Sequence, residues 1–334
     1  MQIGLSYDLK EEKAIEQAGC DDAFEEYDSL ETVELIGASL KAGGHTVVML
    51  GGGREFLDNI LHEKLDFIFN IAEGRGNYRS REAQVPSILE MLDIPYSGSD
   101  PQCLAICLDK PLAKKLIAAA GVHTPKWCVI TDSQQFRQVD CCHFPFPAIV
   151  KLAYEGSSKG IRLNSVVDNQ KQAIETVEKL LKHYQQPVMM EEFIAGDEVT
   201  MGIIGNSPPK VLGTMRILPK RRDGYFIYSL ELKRNYLDLV EYECPAHLEQ
   251  KVLRNLEISG LNAFEALGCR DFARLDFRVS SNGVPYFLEI NPLSGLGAHS
   301  DLVIMAKRMG WTHRELICAV LDAALARYPQ CVKV

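Results

Sequence analysis

Asp276 and Glu289 are the side chains of this 334-residue sequence whose spacing speaks most directly of chemistry. They lie within Arg270 to Asp301, where Arg274, Asp276 and Arg278 alternate with Leu275, Phe277 and Val279, the period of two of a β-strand. A second run, Tyr286 to Asn291, reads as the partner strand, and Asn282-Gly283 between them is a strong hairpin signal because both turn positions favour φ > 0. With that pair at the centre of the turn, Asp276 opposes Glu289 and Arg274 opposes Asn291, so all four share one face. Like charges directly opposed across a ladder cost up to about 1 kcal/mol. A divalent cation between them removes the conflict. Two carboxylates and an amide oxygen form a hard, oxygen-only donor set that suits Mg²⁺ carrying waters and substrate phosphates. The plainer alternative is a solvated outer face of a hairpin.

Other stretches carry weaker signals. Lys151 ends the apolar run Ala148-Ile-Val, where a charge must find an anion or reach solvent. Glu155-Gly-Ser-Ser-Lys-Gly160 follows, with the small, amide-rich composition that wraps phosphate oxygens and remains mobile enough to close. Val188 to Glu192 is an apolar strand ending in acids, continued by Phe193-Ile194-Ala-Gly-Asp-Glu198. Acids at a strand end can accept hydrogen bonds from an adenine amino group or ribose hydroxyls, although Glu-Glu is commonly just surface. Lys110, Lys114 and Lys115 fall on one predicted helix and read by default as a solvated face. Gly51-Gly52-Gly53 after a strand reads as a tight turn, and Glu73 to Arg79, also after a strand, reads equally as a substrate loop or a structural turn.

The elements that must position these groups alternate at first as β-α-β-α. Strands are expected at Ile3 to Tyr7, Thr46 to Leu50 and Phe67 to Asn70, with helices between, which implies a parallel sheet covered by helices. A helix follows from about Pro101 to Ala120. A smaller unit then places strands at Trp127 to Ile130, Ala148 to Leu152 and Ile161 to Asn164, with a helix from Asn169 to Tyr184. A long helix, Ala246 to Leu267, precedes the acidic hairpin, and another, Thr312 to Ala326, closes the chain.

The length exceeds one ordinary core and predicts two or three subdomains. A net charge of -9 argues against a nucleic-acid or anionic-membrane role. No apolar run approaches the roughly 20 residues of a membrane span. Ten cysteines include Cys141-Cys142 and Cys103-x-x-x-Cys107, neither with zinc spacing, so reduced, mostly buried thiols are expected. With no leader visible, the expected compartment is cytoplasmic.

Taken together, the loop at 155 to 160 and the hairpin resemble the ATP-grasp superfamily and, within it, the D-alanine–D-alanine ligase family. The similarity is strongest from Lys110 to Gly160, Glu191 to Glu198 and Arg274 to Ser300. It implies an α/β fold with an N-terminal parallel α/β domain (1–100), a central lid subdomain (101–188) and a C-terminal mixed-sheet catalytic subdomain (189–334). The resemblance implies ATP contacts from Lys110 and Lys151, from Glu155, Ser157 and Ser158 on the lid, from Glu191, Glu192 and Ile194 at the adenine hinge, and from Glu198 on the ribose. Asp276, Glu289 and Asn291 would hold two Mg²⁺ ions, with Mn²⁺ as the alternative.

Arg274, with Ser157, would serve catalysis by stabilising the anionic oxygens of an acyl phosphate and a tetrahedral intermediate. Ser300, near Gly295, would hold the incoming amino acid. The implied reaction transfers the ATP γ-phosphoryl group to a carboxylate, which an amine then attacks, releasing ADP and phosphate; a homodimer is implied as well.

The sequence also departs from the family. The family's Glu-x-Glu-Val-Ser appears as Glu25-Glu-Tyr-Asp-Ser29, its lysine–tyrosine pair as Arg234-Asn235, and its Ser-Pro-Gly as Leu293-Ser294-Gly295. Glu25 is therefore a loose match, and Arg234 a candidate reader of an extra acidic group. Retained nucleotide and metal positions with altered amino-acid pockets favour a ligase with another substrate pair. The alternatives are D-alanine dimerisation itself, an imine-forming ligase joining an amino acid to a mycosporine-type cyclic enaminone, and a regulatory nucleotide-binding protein.

Overall fold

The computed structural model describes residues 1–10, 20–138, 144–221 and 224–331; Cys141 and Cys142 lie outside them. Three sheets carry the architecture. The first is parallel, with β1 (Gln2–Ser6) between β2 (Thr46–Gly51) and β3 (Phe67–Asn70). The second is antiparallel, in the order β4 (Trp127–Ile130), β7 (Val188–Glu192), β5 (Ala148–Leu152), β6 (Val166–Val167).

The third runs β10 (Val240–Glu243), β9 (Lys210–Pro219), β8 (Gly196–Ile204), β11 (Phe272–Ser280), β12 (Pro285–Asn291). Every pair in it is antiparallel, where a mixed sheet was expected. Short connections such as the five residues between β8 and β9 join neighbours, and only antiparallel strands can be joined that way.

Other differences have local causes. The helix expected from Pro101 to Ala120 is two helices, Pro101–Leu108 and Lys110–Ala119. Pro111 lacks the N–H that would continue the first, and Asp109 caps the second by accepting from the Leu112 N–H at 3.1 Å. Ile161 to Asn164 is no strand, because Arg162 and Ser165 close a turn on each other and pairing resumes at β6. The helix expected from Ala246 begins at Gln250.

Both cores that back the site are apolar and continuous. Leu275, Phe277, Phe287 and Ile290 of the hairpin are at most 2% exposed and pack with Val199, Met201, Phe264 and Ile117. The helices at 101–119 thus share their core with the third sheet. The first sheet, through Ile3, Leu5, Phe67 and Phe69, packs with Leu302, Val303, Leu316 and Val320 of the C-terminal helices.

Candidate active site

The β11–β12 ladder pairs Arg274 with Asn291 and Asp276 with Glu289. The turn differs from expectation. Only Gly283 has positive φ, at 73°, and the Ser280 carbonyl accepts from its N–H at 2.8 Å, so Ser281-Asn282-Gly283 form a three-residue loop. A compensating irregularity between Asp276 and Phe277 leaves Leu288 without an opposed residue and restores the carboxylate pairing. Leu288 and Glu289 therefore both face the site, while Phe287 remains in the core.

Arg274 lies among the acids. Its Nη2 is 2.8 Å from Asp276 Oδ2 and 3.9 Å from Glu289, and its Nη1 is 3.6 Å from Asp301. Burial works against its charge, but Asp276, Asp301 and Glu289 outweigh that and raise its pKa. Thr200 Oγ1 donates to Asp276 Oδ1 at 2.6 Å, and Asn291 Nδ2 lies 3.5 Å from Asp276 Oδ2. Burial favours a neutral Glu289, yet Lys110, at 3.5 Å, Lys151 and Arg274 hold its carboxyl down at about 2. Glu289 is thus an anion at any physiological pH. With Asp276 opposite and the Asn291 amide on the same face, the donor set fits a hard divalent cation.

Lys151 and Lys114 are 4% and 0% exposed and both meet the Glu191 carboxylate, Lys151 Nζ at 2.6 Å. Lys114 corrects the expectation of a solvated lysine face, since it also donates to Thr124 Oγ1 at 2.6 Å and to the Phe287 carbonyl at 3.1 Å. Burial pushes its pKa down to about 8, against Glu191. Lys151 is buried too, but Glu191 and Glu289 keep its pKa above the usual value. Glu191 therefore fixes two ammonium groups beneath the second sheet, one of them at the cavity wall.

The loop after β5 is held from several sides. Glu155 accepts from Arg81 at 3.2 Å, Lys159 at 3.0 Å and Gln186 at 2.6 Å, and its carbonyl meets Lys110 Nζ. Ser157 and Ser158 have φ of 47° and 58°, a conformation that costs an L-residue roughly 1–2 kcal/mol. Ser158 Oγ donates to the Tyr228 carbonyl at 2.9 Å, tying this loop to the one before residue 230.

Two cavities result, and Arg274 and Glu289 line both. The first gathers Lys151, Ser158, Glu191, Glu192, Ile194, Glu198 and Asp276. The second gathers Lys110, Glu155, Ser157, Asn291 and Gly295. Ser300 caps the helix Asp301–Arg308, and a Cβ placed on Gly295 would lie 2.9 Å from its hydroxyl.

Arg234 and Glu25 line neither cavity and pair with each other at 2.9 Å, Arg234 also meeting Asp21 at 3.0 Å. Glu26 lines the second cavity in place of Glu25. Sequence reasoning also missed Arg278, which joins Glu198 at 3.2 Å and stacks its guanidinium 4.5 Å from the Phe193 ring centre. Its alternation with Arg274 and Asp276 was the available signal. Arg81, buried between Glu26 and Glu155, had none.

Residues 116–322 match the family described as D-ala D-ala ligase C-terminus. A D-alanine–D-alanine ligase of Aquifex aeolicus is 31% identical over 293 residues, which is 88% of this chain and 94% of the relative. The chain belongs to the D-alanine–D-alanine ligase family. Another family member, from Syntrophotalea carbinolica, is 31% identical over 300 residues, covering 90% and 92%. The D-alanine–D-alanine ligase of Bacillus anthracis complexed with ATP superposes with a TM-score of 0.76 at 22% identity, covering 99% of both chains. The VanG D-Ala:D-Ser ligase of Enterococcus faecalis gives 0.73 at 18% identity, covering 97% and 99%. These likenesses establish the ATP-grasp fold.

Proposed function

We propose that this family member is an ATP- and Mg²⁺-dependent ligase that activates a carboxylate and condenses it with the amine of an amino acid, releasing ADP and phosphate, on a substrate pair other than two D-alanines. The observation that carries this reading is the meeting of Arg274 and Glu289 at the junction of two cavities, one walled by Lys151 and the other by Lys110. A protein that only bound nucleotide would have no use for a buried arginine at that junction.

When bound, ATP with its divalent cations supplies the phosphoryl group and neutralises charge on it. Lys110 and Lys151 offer ammonium groups to phosphate oxygens, Lys151 being held in place by Glu191. Ile194 and Phe193 form an apolar wall for a base beside Glu192, and Glu198, raised to about 7 mainly by burial, can donate as well as accept toward ribose hydroxyls. Asp276, Glu289 and Asn291 are the cation ligands in this reading, with Mg²⁺ preferred to Mn²⁺ for a hard oxygen set. Arg274 presents a planar fork of donors to oxygens that gain charge as the amine attacks. Ser157 and Ser158 carry the lid that excludes water, and Ser300 and Gly295 border the incoming amino acid.

The same reading treats 1–100, 101–188 and 189–334 as three units with one sheet each, except that β7 (Val188–Glu192) completes the second sheet and the helices at 101–119 pack on the third, and takes the enzyme to be a cytoplasmic homodimer. Among the described residues no helix is long and apolar enough to cross a membrane. The altered Leu293-Ser294-Gly295 and Arg234-Asn235 segments support a substrate pair other than two D-alanines. Phosphate release from MgATP across pairs of amino acids and carboxylates, with mass spectrometry of the product, tests the proposal. Stimulation by no pair would refute it.

A further inference from the structure

The second cavity holds two carboxyl groups that no side chain pairs directly, although the charges of Arg81 and, for Glu82, Lys110 act on them from a distance. Glu26, Glu73 and Glu82 line it, with Lys110, Arg274 and Ser294. Glu26 is engaged, accepting from Arg81 Nη2 and from the Gly156 N–H, each at 2.5 Å. Arg81 is spent in turn on Glu26, Glu155 and the Tyr154 carbonyl. Among the described residues the side chains of Glu73 and Glu82 form no hydrogen bond and no ion pair, although Glu82 is only 9% exposed.

An independent sign comes from the segment that follows β12. Ser294, 5% exposed, turns into the same cavity with a hydroxyl that has no hydrogen-bond partner. Buried polar atoms are almost always paired, so these groups describe the polar surface of something that binds between them. Two adjacent carboxylates call for a cation rich in N–H donors, and a serine hydroxyl can accept from the same group.

We propose that the second cavity holds a substrate with its reacting carboxylate at the Arg274–Lys110 end and a cationic amino or guanidino group at the Glu73–Glu82 end, so that the enzyme activates a basic amino acid. The proposal rests on the ligase reading for the carboxylate end only. Burial drives the Glu73 and Glu82 carboxyls upward, Glu82 to about 8, and the neighbouring Glu26 adds to both, while Arg81, and Lys110 in the case of Glu82, oppose the rise without cancelling it. A bound cation reverses that tendency, whereas a neutral side chain would leave both acids protonated or repelling. Glu73 stands in the loop that leaves β3, after Ile71 and Ala72, and that loop is drawn in where Gly74 packs on the Arg81 carbonyl so closely that a Cβ would lie 2.0 Å from it.

Calorimetric titration of the full chain, saturated with MgADP, tests this with arginine, lysine and ornithine against the neutral isosteres citrulline and norleucine, each in both hands. At least one basic amino acid is expected to bind about tenfold or more tightly than its isostere. Glu73→Gln and Glu82→Gln should each erase most of that preference. Ser294→Ala, which removes a hydroxyl alone, should weaken the basic ligand and provides the readout if a glutamine variant does not fold. Equal binding of the isosteres, or binding of no basic amino acid, overturns the proposal. Because binding is read without turnover, a protein that binds arginine yet never releases phosphate would sink the ligase reading, and with it the activation step, but leave the recognition of a basic side chain standing.

Discussion

Glu191→Gln is the perturbation for which the structure gives the firmest magnitude. The substitution keeps shape and removes one charge from between Lys114, fully buried, and Lys151, 4% exposed. Breaking a buried pair by deleting one partner costs about 3–5 kcal/mol, because the remaining charge is stranded away from water. Here two ammonium groups are stranded and also face each other, which favours the upper part of that range. At roughly 1.4 °C per kcal/mol for a chain of 334 residues, the upper part of that range lowers the melting temperature by about 6 °C.

The deficit should also depend on pH. Lys114 is already pushed down to about 8, and without Glu191 it falls further, so the variant's folded state loses that proton while the unfolded state keeps it. Stability rises with pH wherever the unfolded state binds more protons, so the gap from the parent narrows as pH climbs toward about 8. Differential scanning calorimetry at pH 6 and pH 8 reads both effects. Glu192→Gln, one residue along the same strand and half-buried, should cost no more than about 0.5 kcal/mol and serves as the control. A Glu191→Gln protein melting within about 2 °C of the parent at pH 6 would refute the reasoning.

Asp276→Asn and Glu289→Gln should each lower kcat by at least about 100-fold without unfolding the chain, and Glu289→Gln should weaken Mg²⁺ binding followed by calorimetry; a parent-like Mg²⁺ isotherm for Glu289→Gln would count against the metal assignment. Burial raises Glu198 to about 7, with Asp276 adding to the rise and Arg278 opposing it, so the folded state holds this proton between about pH 4.5 and 7 where the unfolded chain has lost it. Its contribution is present at low pH and fades through that window, by on the order of 3 kcal/mol; Glu198→Gln should flatten the stability profile there, and an unchanged slope in denaturant titrations would contradict it. Arg234→Ala breaks pairs to Glu25 and Asp21, the latter on a largely exposed side chain, and should cost less than about 1 kcal/mol. Urea midpoints would decide that case.

Much of this site was legible because it is built on strands, where a period of two ties the position of a side chain to its face. Asp276 and Glu289 could be paired from the alternation and the turn residues alone. The inferred turn was nevertheless one residue too short, and the inference survived because the Leu288 bulge compensated; a bulge leaves no signature when both Leu288 and Glu289 sit among residues suited to a strand. Lys114 and Arg81 were illegible for another reason. A lysine on a helix looks the same whether its helix faces water or a glutamate on a distant strand, and Lys114 meets Glu191 across 77 positions of sequence. Glu25 and Glu26 differ by a single step along the chain, and only the packing of the loop decides that Glu26 reaches Arg81 while Glu25 turns to Arg234.

Those long-range pairs share a physical logic that places the reacting centre. Asp276, Glu289 and Asp301 crowd one guanidinium, while Lys110, at the start of a helix, and Lys151, on β5, both act on Glu289. In a partly desolvated pocket such an assembly is stable only if positive and negative groups alternate, since unpaired charge there is expensive. Arg274 lines both cavities, as Glu289 does, and is held by acids on three elements, β11, β12 and the helix at Asp301. A donor fork braced from three sides cannot follow the ligand, so charge developing in a reaction must develop where Arg274 already points. The braced arginine, more than either cavity alone, is what ties this arrangement to catalysis rather than storage of a nucleotide.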